Sequence, residues 1–185
     1  LLYQGGLQVY TTLDLPLQEQ LEAIAKANEA NLRARGGSNT AIVAIDPLTG
    51  EILAMVGSMD YWNPEIQGEV NVTTALRQPG SSIKPVVYLA AMEKAGLTPG
   101  TVLDDSRRCF DGGRGQPPYC PNNYDNKFRG PVTLRTALGN SLNIPAVEAL
   151  ERVGVPAAVE MANRLGLVSL QYSPNVGLSF TLGGA

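Results

Sequence analysis

The sequence predicts an α/β chain of the α+β type, an antiparallel sheet with helices packed on it, and three observations carry that expectation. Residues 40–46 (TAIVAID) and 51–57 (EILAMVG) are apolar runs joined by the turn Pro47-Leu48-Thr49-Gly50, the pattern of an antiparallel hairpin. Helical periodicity occupies residues 14–35, 81–95, 144–153 and 156–165. With 185 residues, 44% of them hydrophobic, the chain is long enough to bury a core.

Taken in order, residues 6–13 alternate apolar and polar side chains, which predicts a strand. Asp14 is a natural N-cap for the helix that follows, and Pro16 is tolerated in its first turn. Leu17, Leu21, Ile24, Asn28 and Leu32 share one face of that helix, which Gly36-Gly37 ends near Arg35. The two runs of the hairpin are continuous enough to suit buried strands. Residues 58–80 are irregular, and Tyr61 and Trp62 within them are expected to pack into the core, the alternative being a cleft-lining role. The helix over 81–95 carries Val87, Leu89, Ala90 and Met92 and closes at Gly96. Residues 98–129 are rich in Pro, Gly, Asn and Asp and read as a long ordered loop, with Asp104 and Asp105 as loop residues. A helical turn or two is expected over 133–138, then two helices divided at Gly154, after which the pattern loosens. Residues 1–37 read as an entry strand and helix leading into the domain, and 38–185 as the N-terminal portion of that domain.

Composition narrows the chemistry. A net charge of -3 gives no footprint for nucleic acid or an anionic membrane. No apolar run reaches the roughly 18 residues needed to span a bilayer, and no targeting signal opens the chain. Histidine is absent, which excludes Ser-His-Asp and Cys-His catalysis and removes the commonest metal ligand. Two cysteines are too few for a structural zinc site, and no cofactor is indicated. Acid–base chemistry is left to Lys, Tyr, Asp or Glu.

Residues 77–85 (RQPGSSIKP) answer that constraint. Pro79-Gly80 forces a turn, so Ser81 falls at or near a helix N-terminus, and Lys84, three residues on, shares its face. A serine hydroxyl needs an adjacent base, and a partly buried lysine of lowered pKa can supply one. The helix N-terminus and the Ser81 N–H favour a developing oxyanion. Ser-x-x-Lys alone also fits an ordinary helix cap followed by a solvated lysine. Ser141-Leu142-Asn143 is the second element: in extended backbone residues i and i+2 point the same way, so hydroxyl and amide would both face Ser81 and Lys84. The plainer reading makes Ser141 or Asn143 the N-cap of the next helix.

Ser-x-x-Lys, Ser-x-Asn and Lys-Thr-Gly together mark penicillin-binding proteins and serine β-lactamases. The chain resembles the class A, bifunctional penicillin-binding proteins in residues 6–14, 44–57, 77–85, 123–125, 130–135 and 141–147, in that family's order. The resemblance implies a partial transpeptidase fold, with Ser81 as acylated nucleophile and Lys84 as its base or proton relay. Ser141 would relay a proton to the leaving amine, and Asn143 would bind the substrate backbone. It further implies attack on D-Ala-D-Ala stem peptides of glycan strands derived from lipid II, β-lactams as covalent inhibitors, and an extracytoplasmic setting. A glycosyltransferase domain and membrane anchor would lie upstream. In that compartment Cys109 and Cys120 are expected to form a disulfide, the alternative being two free thiols. A serine β-lactamase and a non-catalytic β-lactam sensor or scaffold are the rival readings. A β-lactamase would need a water-activating glutamate, for which Glu148 and Glu151 carry no particular signal.

No Lys-Thr-Gly or Lys-Ser-Gly occurs in the chain, and the family's motif is expected beyond residue 185, on a strand that supplies the second oxyanion donor. The chain alone is therefore expected to be acylated slowly or not at all. Labelling by a fluorescent penicillin at the rate of an intact family member would contradict this.

Overall fold

The computed structural model describes residues 5–6, 8–112, 115–171 and 176–184. Its contacts divide the chain into two compact units, Leu1–Leu76 and Arg77–Ala185.

In the first unit, Asp14 caps α1 (Leu15–Ala27) by accepting from the Leu17 N–H at 3.0 Å. The single helix expected to reach residue 35 is broken at Asn28, and α2 (Glu29–Ala34) continues from it. The Asn28 amide donates to the Ile24 carbonyl at 2.9 Å, competing with the main-chain ladder at the break. β1 (Ile42–Ile45) and β2 (Ile52–Val56) form the expected antiparallel hairpin, Ile42 opposite Val56, with an irregularity between Ala44 and Ile45.

Residues 8–13 do not form the predicted strand, and Leu7 lies outside the described residues. Side chains and isolated main-chain bonds tack this segment to β2 instead: Thr12 Oγ1 donates to Ile52 O, the Asp14 N–H to Leu53 O, and Gln18 both donates to and accepts from Met55 backbone. Two further expectations fail here. The hairpin is not buried on both faces, since α1 packs against β2 while Val43, Ile45 and Ile52 stay exposed. Trp62 is 86% exposed and stacks edge-to-face with the exposed Tyr61, their ring centroids 4.8 Å apart, so neither belongs to the core.

In the second unit, a 3-10 turn (Gly80–Ile83) leads into α3 (Lys84–Ala95), which ends at Gly96. β3 (Val102–Asp105) pairs antiparallel with β4 (Gly130–Thr133), and α4 (Leu134–Gly139), α5 (Asn143–Val153) and α6 (Val155–Arg164) follow. The stretch read as one long loop therefore contains a strand. β3 alternates, with Leu103 and Asp105 buried on one face, but four residues make too short a signal among so many turn formers. The core lies where α3 meets α5 and α6. Fully buried Ala90 and Ala91 face Ala146, Ala149, Ala158 and Ala162 in one cluster with Val87 and Leu150, and the small side chains let the helices approach closely.

Between β3 and β4, Phe110 and Tyr119 pair as an isolated bridge flanked by the bonded cysteines Cys109 and Cys120, whose Cα atoms are 4.1 Å apart. Phe110 packs on Ile144 and Val147 of α5, and the Arg108 guanidinium lies 4.2 Å over its ring. Closing a loop of this size restricts the unfolded chain by about 3 kcal/mol at most. Reduction is expected to lower the urea midpoint of the second unit by a corresponding amount, and identical unfolding curves with and without reductant would contradict it.

Candidate active site

Ser81 sits exposed in the 3-10 turn, after Gly80 in the left-handed region at φ 55°. Gly183, itself at φ 85°, is held so close to Gly80 that any side chain there would collide with the Gly80 backbone. The 3-10 segment Leu178–Leu182 is thereby seated against the turn that carries Ser81.

Lys84, one turn on, is only 1% exposed, not the solvated residue of the plainer reading. Its amine donates to the Ser141 carbonyl at 2.6 Å, the Asn143 Oδ1 at 2.6 Å and the Ser141 hydroxyl at 3.2 Å. Three acceptors match the three protons of an ammonium. Burial nevertheless disfavours the charge and lowers the group from its ordinary 10.5 to about 8. At pH 7 about one amine in ten is then unprotonated, against about one in three thousand for an ordinary lysine. Among the described residues no hydrogen bond joins Lys84 to Ser81. The shared helix face brings them near, but the amine turns to α5.

Ser141 and Asn143 do face Lys84 together, though not through extended backbone. Ser141 stands at φ 51°, just past the end of α4. Its N–H donates to Leu138 O at 3.0 Å and that of Leu142 to Ala137 O at 2.9 Å, the paired bonds of a Schellman C-cap. Glycine usually fills that left-handed position, and serine there costs on the order of 1 kcal/mol. The turn aims the Ser141 carbonyl at the amine. Leu142, not Ser141 or Asn143, is the N-cap of α5 and offers no side-chain acceptor.

The missing cap comes from another segment. Asn123 Oδ1 accepts from the Asn143 N–H at 2.7 Å, and Asn122 O accepts from Asn143 Nδ2 at 2.6 Å. Asn123 Nδ2 donates to both oxygens of Asp105, at 2.8 and 3.0 Å, and to Lys127 O at 2.8 Å. Asp105 is completely buried, accepts from the Arg129 N–H at 3.1 Å, and has the Arg129 guanidinium 3.8 Å away. Reading Asp105 as a loop residue was mistaken; it is the far end of a polar chain that reaches Lys84. Asn123 was visible only as part of a family resemblance.

Ser81, Ser141 and Asn143 line one cleft of about 670 Å³ together with Asn122, Asn140 and Leu182, and Tyr124, Asp125 and Arg129 stand along it. Two serine hydroxyls and a carboxamide thus share an open surface over a buried amine. Among the described residues no group of histidine, cysteine and carboxylate side chains is arranged to hold a metal.

This fold and site define a serine–lysine acyl-transfer architecture, and comparison with known proteins gives the family. Residues 40–184 match the penicillin binding protein transpeptidase domain, and the chain belongs to that family. Among curated relatives it is 35% identical to penicillin-binding protein 1C of Escherichia coli over 96% of this chain and 22% of that protein. It is 41% identical to penicillin-binding protein 1A of Aquifex aeolicus over 74% of this chain and 18% of the relative. These relatives place it with the class A proteins. The chain spans about a fifth of their length. The crystal structure of penicillin-binding protein 1A from Haemophilus influenzae superposes with a TM-score of 0.69 at 38% identity, over 80% of this chain and 21% of that one. PonA1 of Mycobacterium tuberculosis in complex with penicillin V shares the fold at a TM-score of 0.70 and 23% identity, over 99% of this chain and 48% of that one.

Proposed function

We propose that this chain carries the nucleophile, base and proton relay of an extracytoplasmic peptidoglycan D,D-transpeptidase that forms an acyl-enzyme on Ser81. The observation that carries the reading is Lys84, a buried amine of lowered pKa bonded to Ser141 and Asn143 beneath a cleft lined by Ser81. In its neutral form Lys84 has one lone pair and two N–H bonds. The longest of its three contacts, to the Ser141 hydroxyl, is the natural one to reverse, with Oγ–H donating to the amine.

Ser81 Oγ attacks the carbonyl carbon of the penultimate D-Ala, and its proton passes through Ser141 to Lys84. The C–N bond then breaks, and the terminal D-Ala leaves as an amine that takes the proton back from Lys84 through Ser141. An acceptor amine of a neighbouring stem peptide next attacks the ester, the C–O bond to Ser81 breaks, and Ser81 regains a proton. A β-lactam follows the first half of this course, its ring amide opening as the ester forms; the related fold of PonA1 in complex with penicillin V supports that extension.

The carboxylate that stands along the cleft, Asp125, is paired with Arg129 at 2.8 Å, and the two glutamates weighed for the hydrolase alternative lie elsewhere. Glu148 is buried, accepts from the Asp104 N–H at 2.8 Å and pairs with Arg152, while Glu151 pairs with Arg108 at 3.0 Å; neither lines the cleft. No helix among the described residues is long and apolar enough to cross a membrane.

Prolonged incubation with benzylpenicillin is expected to add one penicilloyl group, mapped by peptide mass to Ser81 and absent from Ser81→Ala. An adduct on another residue, or equal labelling of the variant, contradicts the acyl-enzyme reading.

A further inference from the structure

The buried pair Asp105–Asn123 has no part in the steps above, yet each of its contacts has only one workable polarity. A carboxylate only accepts, so Asp105 turns the Asn123 NH2 toward itself and leaves Asn123 Oδ1 for the Asn143 N–H. Lys127 O accepts a second bond from the same NH2 and fixes it from the other side. Asn123 is 4% exposed, so no solvent is at hand to satisfy the flipped amide. The neighbouring Asn122 carbonyl is held where it accepts from Asn143 Nδ2, which leaves Asn143 Oδ1 facing Lys84. With the Asn143 amide reversed, an NH2 would face the lysine and two oxygens would face each other at Asn122.

We propose that Asp105 and Asn123 are positioning residues: a buried carboxylate sets the direction of the Asn123 amide, whose oxygen pins the Asn143 N–H next to the Asn122 carbonyl that orients the Asn143 amide, so that an oxygen rather than an NH2 meets Lys84. The inference deepens the acyl-transfer reading and rests on it for its meaning, though the hydrogen-bond chain stands apart from any substrate. Other ionisable groups on the elements packed around α3 do not account for the state of the amine. Glu148 of α5, like Asp105, bears on Tyr88 one turn further along α3, and Glu160 and Arg164 of α6 engage Lys94 and Glu93 at its far end.

The test compares the wild-type chain with Asp105→Asn, which removes the polarity-setting charge at constant size, and with Asn123→Ser, which keeps that charge and cuts the chain. Lysine labelled with 13C at Cε reports the pH at which Lys84 titrates, and circular dichroism reports the fold. Loss of one acceptor disfavours the ammonium, so in both folded variants the inflection, and with it the rise of the acylation rate, is expected to move below its wild-type position, while loss of the amine's placement lowers the high-pH plateau of that rate by about tenfold. An inflection unmoved in a folded variant overturns the proposal, and movement in Asp105→Asn alone assigns the effect to bare charge and overturns it too. Acylation of the wild type at a residue other than Ser81 would sink the acyl-enzyme reading while leaving the inflection to decide this one. If neither variant folds, proton exchange at the carboxamides of Asn123 and Asn143 in the wild-type chain decides: protection supports the chain, and exchange as fast as in urea overturns it.

Discussion

A lysine amine at 1% exposure, held by two oxygens of Ser141 and one of Asn143, is the interaction on which the site depends. Removing an ammonium from water is costly unless its protons are all received, and here they are. Yet the acceptors are a carbonyl, a hydroxyl and an amide, none of them charged. The ammonium therefore gains hydrogen bonds without a counter-ion, and burial leaves it easily deprotonated. A carboxylate in place of Asn143 would hold the proton; an apolar residue there would leave the amine without a guide. The neutral triad of acceptors leaves an amine that is both placed and readily deprotonated.

Much of the second unit arranges those acceptors. The end of α4 places Ser141 in a left-handed turn that a glycine would occupy with less strain, and the serine hydroxyl is gained in exchange. The N-terminus of α5 has no cap of its own and takes one from Asn123, which ties the helix to β3 and β4 through Asp105. Directly before this segment, Cys120 and Phe110 hold the loop against α5. The close approach of Gly183 to Gly80 seats the last 3-10 segment beside Ser81.

The legible parts of the site were those set by local spacing. Ser81 and Lys84 fall three apart, and Gly96 ends the helix after them as expected, though α3 begins at Lys84 and Ser81 stands in the 3-10 turn before it. The hairpin was equally plain, because an apolar run, a four-residue turn and a second run leave little else to form. Ser141 and Asn143 were read as partners for the wrong reason, since a Schellman turn, not extended backbone, brings them round. Asp105 was missed because its role lies in contacts 18 and 24 residues away, with Asn123 and Arg129, which no local periodicity encodes. The exposure of Val43, Ile45 and Trp62 was likewise hidden, for an apolar run states that a side chain can be buried and not that anything covers it.

The central claim, that a neutral Lys84 activates Ser81, is tested most directly by the rate of penicilloylation at Ser81 as a function of pH, with Ser81→Ala subtracting reaction elsewhere. A lysine whose charged form is disfavoured becomes competent as pH rises through its own titration. The rate should therefore climb through an inflection at about 8 and level off above it. A rate flat from pH 6 to 10, one that falls over that range, or one that climbs only toward 10.5 would contradict it.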